Sequence, residues 1–300
     1  MQRSYVLGIF APFHPKGLSH AWVSTSVNGH VLADAFECLN HVKVTMLGRD
    51  VAKWPKMDVA LVHHYLEPSN RIFMEARSLQ GQRCPLLASY LEVTTKADVS
   101  FVFLPENVAV WGGHPLYFPF DDKNLKNVPK DTNAYLLDHS WPEYKDERWQ
   151  DEETVLTVLR EVHPNAKVCK FAFSRRDVAA PKVSHDDLMP SWVDPIPPLP
   201  YLEYLDRTKQ FGTFIVTHHG SFNHTIVDMA ARGIRVISSK RLIAQSMIGG
   251  LGVQTYDDAN GLRRLLTSPV TAPVLGNAIS ISAAVKRMDQ TFINSLRTRG

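Results

Sequence analysis

Short apolar runs alternate with amphipathic stretches along most of the chain, and that alternation restricts the fold more than any other feature of the sequence. Tyr5 to Phe10 reads as a first strand, Ser24 to Asn40 as a helix with Val27, Val31, Leu32, Ala35 and Leu39 on one side, and Val42 to Leu47 as the next strand. After Pro55 come a third apolar run over Asp58 to His63, a helix over Ser69 to Gln80, and a fourth strand over Pro85 to Leu91. Strands that alternate with helices imply parallel pairing through right-handed crossovers. Residues 1–115 are therefore expected to form a Rossmann-like, doubly wound domain.

The stretch from His114 to Asp131 is rich in Pro, Lys and Asp and lacks helical periodicity, so residues 116–131 read as a crossing segment. A second α/β series then opens with Ala134 to Leu137, a charged helix over Glu152 to Val162, and a strand over Lys167 to Phe173. Pro181 to Pro200 holds six prolines, which predicts a long surface loop leading to Tyr201 to Lys209. Thr213 to Thr217, a helix from Asn223 to Arg232, Val236 to Ser239 and Leu262 to Leu266 close a second Rossmann-like domain over residues 132–275. Residues 276–300 carry a final helix, Ala278 to Arg297, able to cross back to the first half. The expected fold is α/β, with two doubly wound domains facing a central cleft.

Composition bounds the partners. The chain has 300 residues, 44% apolar and 21% charged, the balance of a globular protein. No run approaches the length of a membrane span, and Met1 to Phe10 reads as a strand rather than a leader, so a cytoplasmic location is expected. Cys38, Cys84 and Cys169 lie too far apart for a zinc ribbon or a disulfide framework, and reduced, mostly buried thiols are expected. A formal charge of +3 permits a polyanionic partner without requiring one.

The chemistry is most legible between Phe214 and Ser239. An apolar strand runs into a polar loop, His218, His219, Gly220, Ser221, Phe222 and Asn223, and a helix opens near Asn223. Gly233 ends that helix as a left-handed cap, and Arg235-Val236-Ile237 enters the next strand. Unpaired N–H groups and the positive end of the helix dipole suit a diphosphate there. Thr225 can meet a phosphate oxygen, and Asp228, about a turn and a half on, can accept from a ribose diol. The same pattern also describes a strand-turn-helix capped by Ser221 or Asn223, with Asp228 solvated.

The run Asp228-Met-Ala-Ala-Arg-Gly-Ile-Arg-Val resembles the donor-binding segment of GT-B glycosyltransferases, Glu-Ala-x-Ala-x-Gly-x-Pro-Val. Asp228 stands in place of the ribose-binding Glu and Arg235 in place of the usual Pro. Many retaining members carry a further Glu eight positions before the ribose carboxylate, where this chain has Gly220, so the resemblance implies an inverting enzyme. The layout also resembles the bacteriophage DNA β-glucosyltransferases, through Leu116-Tyr-Phe-Pro-Phe-Asp-Asp at the crossing and Glu92 directly after the fourth strand. That resemblance implies a UDP-sugar donor held by the second domain, a hydroxymethylated pyrimidine in double-stranded DNA as acceptor, and a host cytoplasm as location.

An inverting transfer needs a proton acceptor beside the attacking hydroxyl and cationic or dipolar groups beside the leaving diphosphate. Glu92 is the leading base, with His14 and His63 or His64 as alternatives on the same sheet edge. His218, His219, Arg175 and Arg176 are the leading partners of the diphosphate, followed by Lys145 and Arg148. His218, His219 and His224 lack the spacing of a zinc site, and Asp121-Asp122 falls in the crossing segment, so neither a metal nor an essential cofactor is expected. Phe10 to Ser19 lacks the glycine fingerprint of a nicotinamide site. Packing is the expected role of Trp141, Trp149 and Trp192.

A DNA acceptor would call for a basic surface and a flipped base. Lys16, Arg49, Lys53, Lys56, Arg71 and Lys96 supply dispersed positive charge in the first domain. Three other readings share the plan: a transferase for glycans or small molecules, a sugar-nucleotide 2-epimerase requiring several cleft carboxylates, and an inactive nucleotide-binding protein.

Overall fold

The computed structural model describes residues 4–11, 29–63, 66–79, 84–91, 94–125, 128–138, 151–171, 190–197, 199–217, 224–276 and 279–299. They divide into two compact units. One holds the described residues up to Asp122 together with those from Ile279 onward, and the other holds those from Lys123 to Gly276. The segment expected as a crossing is thus split between the two.

In the first unit, β1 (Tyr5–Phe10) leads to a helix α1 (29–36), β2 (Val42–Met46), β3 (Val59–His63), α2 (Leu66–Arg77) and β4 (Leu86–Leu91). Beyond the expected elements come β5 (Val99–Val102), α3 (Pro105–Trp111) and the two-residue strands β6 (His114–Pro115) and β7 (Pro119–Phe120). The parallel sheet runs β2-β1-β3-β4-β5-β6. Its direction of winding reverses between β1 and β3, which makes the carboxyl ends of those strands the switch point where ligands of such sheets bind. The inner strands β1 and β3 are mostly apolar, as a sheet covered on both faces requires, with Leu7, Ile9, Val59, Ala60 and Leu61 fully buried, whereas the edge strand β2 carries the exposed Lys43. Helix α1 packs closely on the end of β1. A methyl group at Gly29 would lie 2.7 Å from Ala11 Cβ and 3.1 Å from the Tyr90 hydroxyl, so only glycine fits there.

The second unit contains β8 (Asp131–Leu137), α4 (Glu152–Val162), β9 (Lys167–Phe171), β10 (Val193–Ile196), α5 (Tyr201–Thr208), β11 (Phe211–Val216), α6 (His224–Ala231), β12 (Arg235–Ser239), α7 (Gln245–Leu251), β13 (Gln254–Tyr256) and α8 (Ala259–Thr267). Its parallel sheet has the order β10-β9-β8-β11-β12-β13, that of dinucleotide-binding domains, with the switch point between β8 and β11. The strand β10 corrects the expectation of a loop from Pro181 to Pro200. Pro195 pairs opposite Lys170 in an edge strand, where a residue without an N–H is tolerated inside a strand.

The chain then returns to the first unit, where β14 (Ile279–Ser280) pairs in parallel with β7 and α9 (Ile281–Arg299) follows. Ala284, Val285, Met288, Phe292 and Leu296 recur at helical spacing and are buried. Asp122 Oδ1 accepts from the Ser282 N–H at 3.2 Å at the start of α9, so this carboxylate of the crossing segment has a structural use.

One smaller expectation changes. Cys38 and Cys84 are exposed, the first in the turn after α1 and the second just ahead of β4; only Cys169, on β9, is buried, and burial pushes its thiol above the ordinary range. Trp192 packs against the core of the second unit, with the Arg160 guanidinium 5.3 Å from its ring centroid.

Candidate nucleotide-sugar site

The candidate site is built on the carboxyl edge of the second sheet. Helix α6 starts at His224, and Ile226, Val227, Met229 and Ala230 are buried along it. Gly233 has φ 74° and closes the helix, with its N–H donating to Ala230 O at 3.0 Å and that of Ile234 to Met229 O at 3.0 Å. Asp228 is 5% exposed, which removes the solvated alternative.

Beneath it, buried Arg232 fastens α6 to α5. Its Nε donates to Asp228 O at 3.0 Å, and its Nη1 to Leu205 O at 3.1 Å and to Thr208 Oγ1 at 2.8 Å. The guanidinium lies 5.4 Å from the Tyr204 ring centroid. Burial holds the Tyr204 phenol above its ordinary range, and the charges of Asp228 and Asp138 add to that.

At the switch point the two central strands are tied together just past their ends. The Asp138 N–H donates to Ile215 O at 3.0 Å and Thr217 Oγ1 to Asp138 O at 3.4 Å. Thr217 O accepts from the Asp151 N–H at 3.0 Å, and the Asp151 carboxylate receives the Tyr256 hydroxyl at 2.6 Å and Arg241 Nη2 at 3.1 Å. Strands β8, β11, β12 and β13 thus all contribute to one polar edge. Asp138, Asp151, Tyr204, Arg232, Arg241 and Tyr256 were missed in the sequence; an acidic residue directly after an apolar strand, as in Leu137-Asp138, was the one signal available.

Of the residues expected in the nucleotide site, Thr225 and Asp228 are brought onto α6 three positions apart, Thr225 partly buried. His218, His219, Gly220, Ser221, Phe222, Asn223, Arg175, Arg176, Lys145 and Arg148 lie outside the described residues, as do the expected bases Glu92, His14 and His64. In the first unit His63 ends β3 fully buried, its ring edge-on to Tyr90 with centroids 5.0 Å apart. Arg49, Lys53, Lys56, Arg71 and Lys96 are exposed, with Lys53 paired to Asp50 and Arg71 to Glu75, which is the pattern of a solvated surface.

Two parallel sheets, each with a point at which its winding reverses, define a protein of the GT-B-like α/β class. Solved structures of that fold match nearly the full chain. The UDP-GlcNAc 2-epimerase of Neisseria meningitidis bound to UDP-GlcNAc superposes with a TM-score of 0.60 at 10% identity, over 96% of this chain and 99% of that one. The Methanocaldococcus jannaschii UDP-GlcNAc 2-epimerase with UDP-GlcNAc and UDP gives 0.58 at 10% identity, over 95% and 99%. Anabaena HepE in complex with UDP-glucose gives 0.57 at 10% identity, over 98% and 99%. No protein-family model and no curated protein matches the chain. At such identities the likeness establishes the fold.

Proposed function

We propose that the chain is an enzyme acting on a UDP-sugar, with the uridine diphosphate held by the second unit. The observation that carries this reading is the position of α6: it follows the central strand β11 at the switch point, with Asp228 buried about one turn beyond its start. The helix start offers N–H groups and a positive dipole to the diphosphate, and Asp228 offers its carboxylate to the ribose diol. His218, His219, Gly220, Ser221, Phe222, Asn223 and Thr225 are the proposed lining of that phosphate site, with Arg175 and Arg176 as cations beside the leaving group. The substrate carries the reactive group, so the reading calls for neither a metal nor a separate cofactor.

Support for the donor comes from the matched structures, whose enzymes are described with UDP, UDP-GlcNAc or UDP-glucose. They favour epimerisation at C2 over glycosyl transfer. Hydroxymethylated DNA gains no support from these structures, and Lys53 and Arg71 of the first unit are paired with Asp50 and Glu75. Epimerisation needs a base that takes the C2 proton and a group that returns one to the opposite face. Glu92, His14 and His64 are the proposed candidates. Transfer remains the second reading, favoured by the run from Asp228 to Val236.

A thermal-shift panel tests the donor. UDP and UDP-GlcNAc raise the Tm by linkage, and Asp228→Ala abolishes the shift. Incubation of UDP-GlcNAc in deuterated water then separates the activities: an epimerase puts deuterium at C2, whereas a transferase leaves C2 unlabelled and releases UDP only when an acceptor hydroxyl is supplied. Absence of any shift with UDP or its sugars would remove the nucleotide-sugar reading.

A further inference from the structure

Asp151 occupies the N-cap position of α4, where an aspartate ordinarily turns its carboxylate onto the helix N–H groups. Here it makes no such bond. Its Oδ2 instead accepts from the Tyr256 hydroxyl at 2.6 Å and its Oδ1 from Arg241 Nη2 at 3.1 Å, while its N–H holds Thr217 O at 3.0 Å. The side chain is 8% exposed and the Arg241 side chain 47%. A carboxylate that leaves its own helix uncapped and is buried between a phenol and a guanidinium has been committed to aiming that guanidinium.

The sheet explains where the guanidinium stands. Val216 pairs with Ser238 on β12, and Ser239 with Tyr256 on β13, so the ends of β11, β12 and β13 lie side by side. Arg241 follows β12 by two residues, and Asp151 links it to Thr217, the last residue of the strand end that leads towards α6. The cation is anchored by Asp151, and its side chain is about half exposed. Burial, and then the Asp151 charge, push the Tyr256 phenol well above its ordinary range, so it stays protonated and keeps donating.

We infer that Arg241 is a phosphate-binding residue of the nucleotide-sugar site, aimed by Asp151 and Tyr256 as positioning residues. The inference rests on the UDP-sugar reading and adds a cation to it. A planar guanidinium fixed on one edge presents N–H donors to phosphate oxygens with little ordering left to do on binding. The ligand class is a nucleoside diphosphate, and the bond being broken during turnover would leave its negative charge on the phosphate that Arg241 meets.

The test compares UDP with uridine, which lacks the phosphates, by calorimetric and NMR titration of the full chain. Arg241→Ala weakens UDP by at least about tenfold and leaves uridine unchanged. Arg241→Gln, which keeps a donor for Asp151 and loses the charge, does the same, and it serves if the alanine variant fails to fold. Tyr256→Phe lowers the UDP to uridine affinity ratio in the same direction by a smaller factor, a change that a purely structural hydroxyl would not produce. UDP affinity within twofold of wild type in a folded Arg241 variant overturns the inference alone. Failure of the wild-type chain to bind UDP overturns the UDP-sugar reading and the inference with it.

Discussion

The hydroxyl of Tyr5, on the first strand, donates to Oδ1 of Asp289 in the last helix at 2.8 Å, across 284 residues of chain. His41 Nε2 lies 2.9 Å from the same oxygen, and Phe292 stacks or crosses edge-on against Phe36, Phe101 and Tyr5 around the pair. The carboxyl terminus is therefore an integral layer of the first unit. Asp289→Ala strands the Tyr5 hydroxyl and His41 together and is expected to cost about 2–4 kcal/mol. Tyr5→Phe leaves Asp289 with His41 and is expected to cost only about 1 kcal/mol. Urea unfolding of the two variants checks the order, and equal costs would show that the carboxylate does not couple the two groups.

Most of the fold was legible because it rests on local periodicity. Glu152 to Val162 was read with the bounds observed, and Gly233 was recognisable as a cap because a positive φ leaves glycine as the natural choice. The misses have identifiable causes. Pro195 concealed β10, since the sequence does not say that the strand lies at an edge. Helix α7, Gln-Ser-Met-Ile-Gly-Gly-Leu, was hidden by Gly249 and Gly250, both poor helix formers.

The candidate site divides in the same way. Asp228 could be read from a motif within one strand-helix-strand unit. The Asp151, Arg241 and Tyr256 cluster could not, because its members are separated by up to 105 residues and meet only through the sheet order. Asp289 was invisible for the same reason.

Stability should fall at alkaline pH. Burial is the largest cause of a raised phenol pKa at Tyr5, Tyr90, Tyr204 and Tyr256. An unfolded phenol loses its proton near pH 10, about the model-peptide value, whereas these four hold theirs to higher pH in the native state. Above about pH 10 the native state thus binds more protons than the unfolded one, and the unfolding free energy declines as pH rises. Each tyrosine adds a slope approaching about 1.4 kcal/mol per pH unit, and below about pH 10 its contribution is fully present. Urea midpoints between pH 8 and 11, read with phenolate absorbance, check this. Ionisation of the four phenols ahead of unfolding would contradict it.

Arg235, which replaces the proline of the transferase motif, is 2% exposed and occupies the first position of β12. Proline is tolerated at the start of a strand, so the backbone does not account for the replacement. The side chain does. Its Nε donates to Gln254 Oε1 at 2.8 Å, its Nη2 to Leu265 O and to Ser268 Oγ at 3.2 Å, and its Nη1 to Ser268 O at 3.4 Å. The guanidinium therefore closes the carboxyl end of α8, where a positive charge also suits the helix dipole. Burial lowers the Arg235 pKa, which registers the cost of placing the charge there. Arg235→Pro and Arg235→Ala should each lose about 2–4 kcal/mol, because both remove the guanidinium that bonds Ser268 O and Gln254 Oε1, although Leu265 O keeps the Ser268 N–H and hydroxyl as donors. A double-mutant cycle with Gln254→Ala should return a coupling of about 1–2 kcal/mol. If the proline variant is instead as stable as the wild type, the α8 contact is dispensable and the replacement has no structural cause in the second unit.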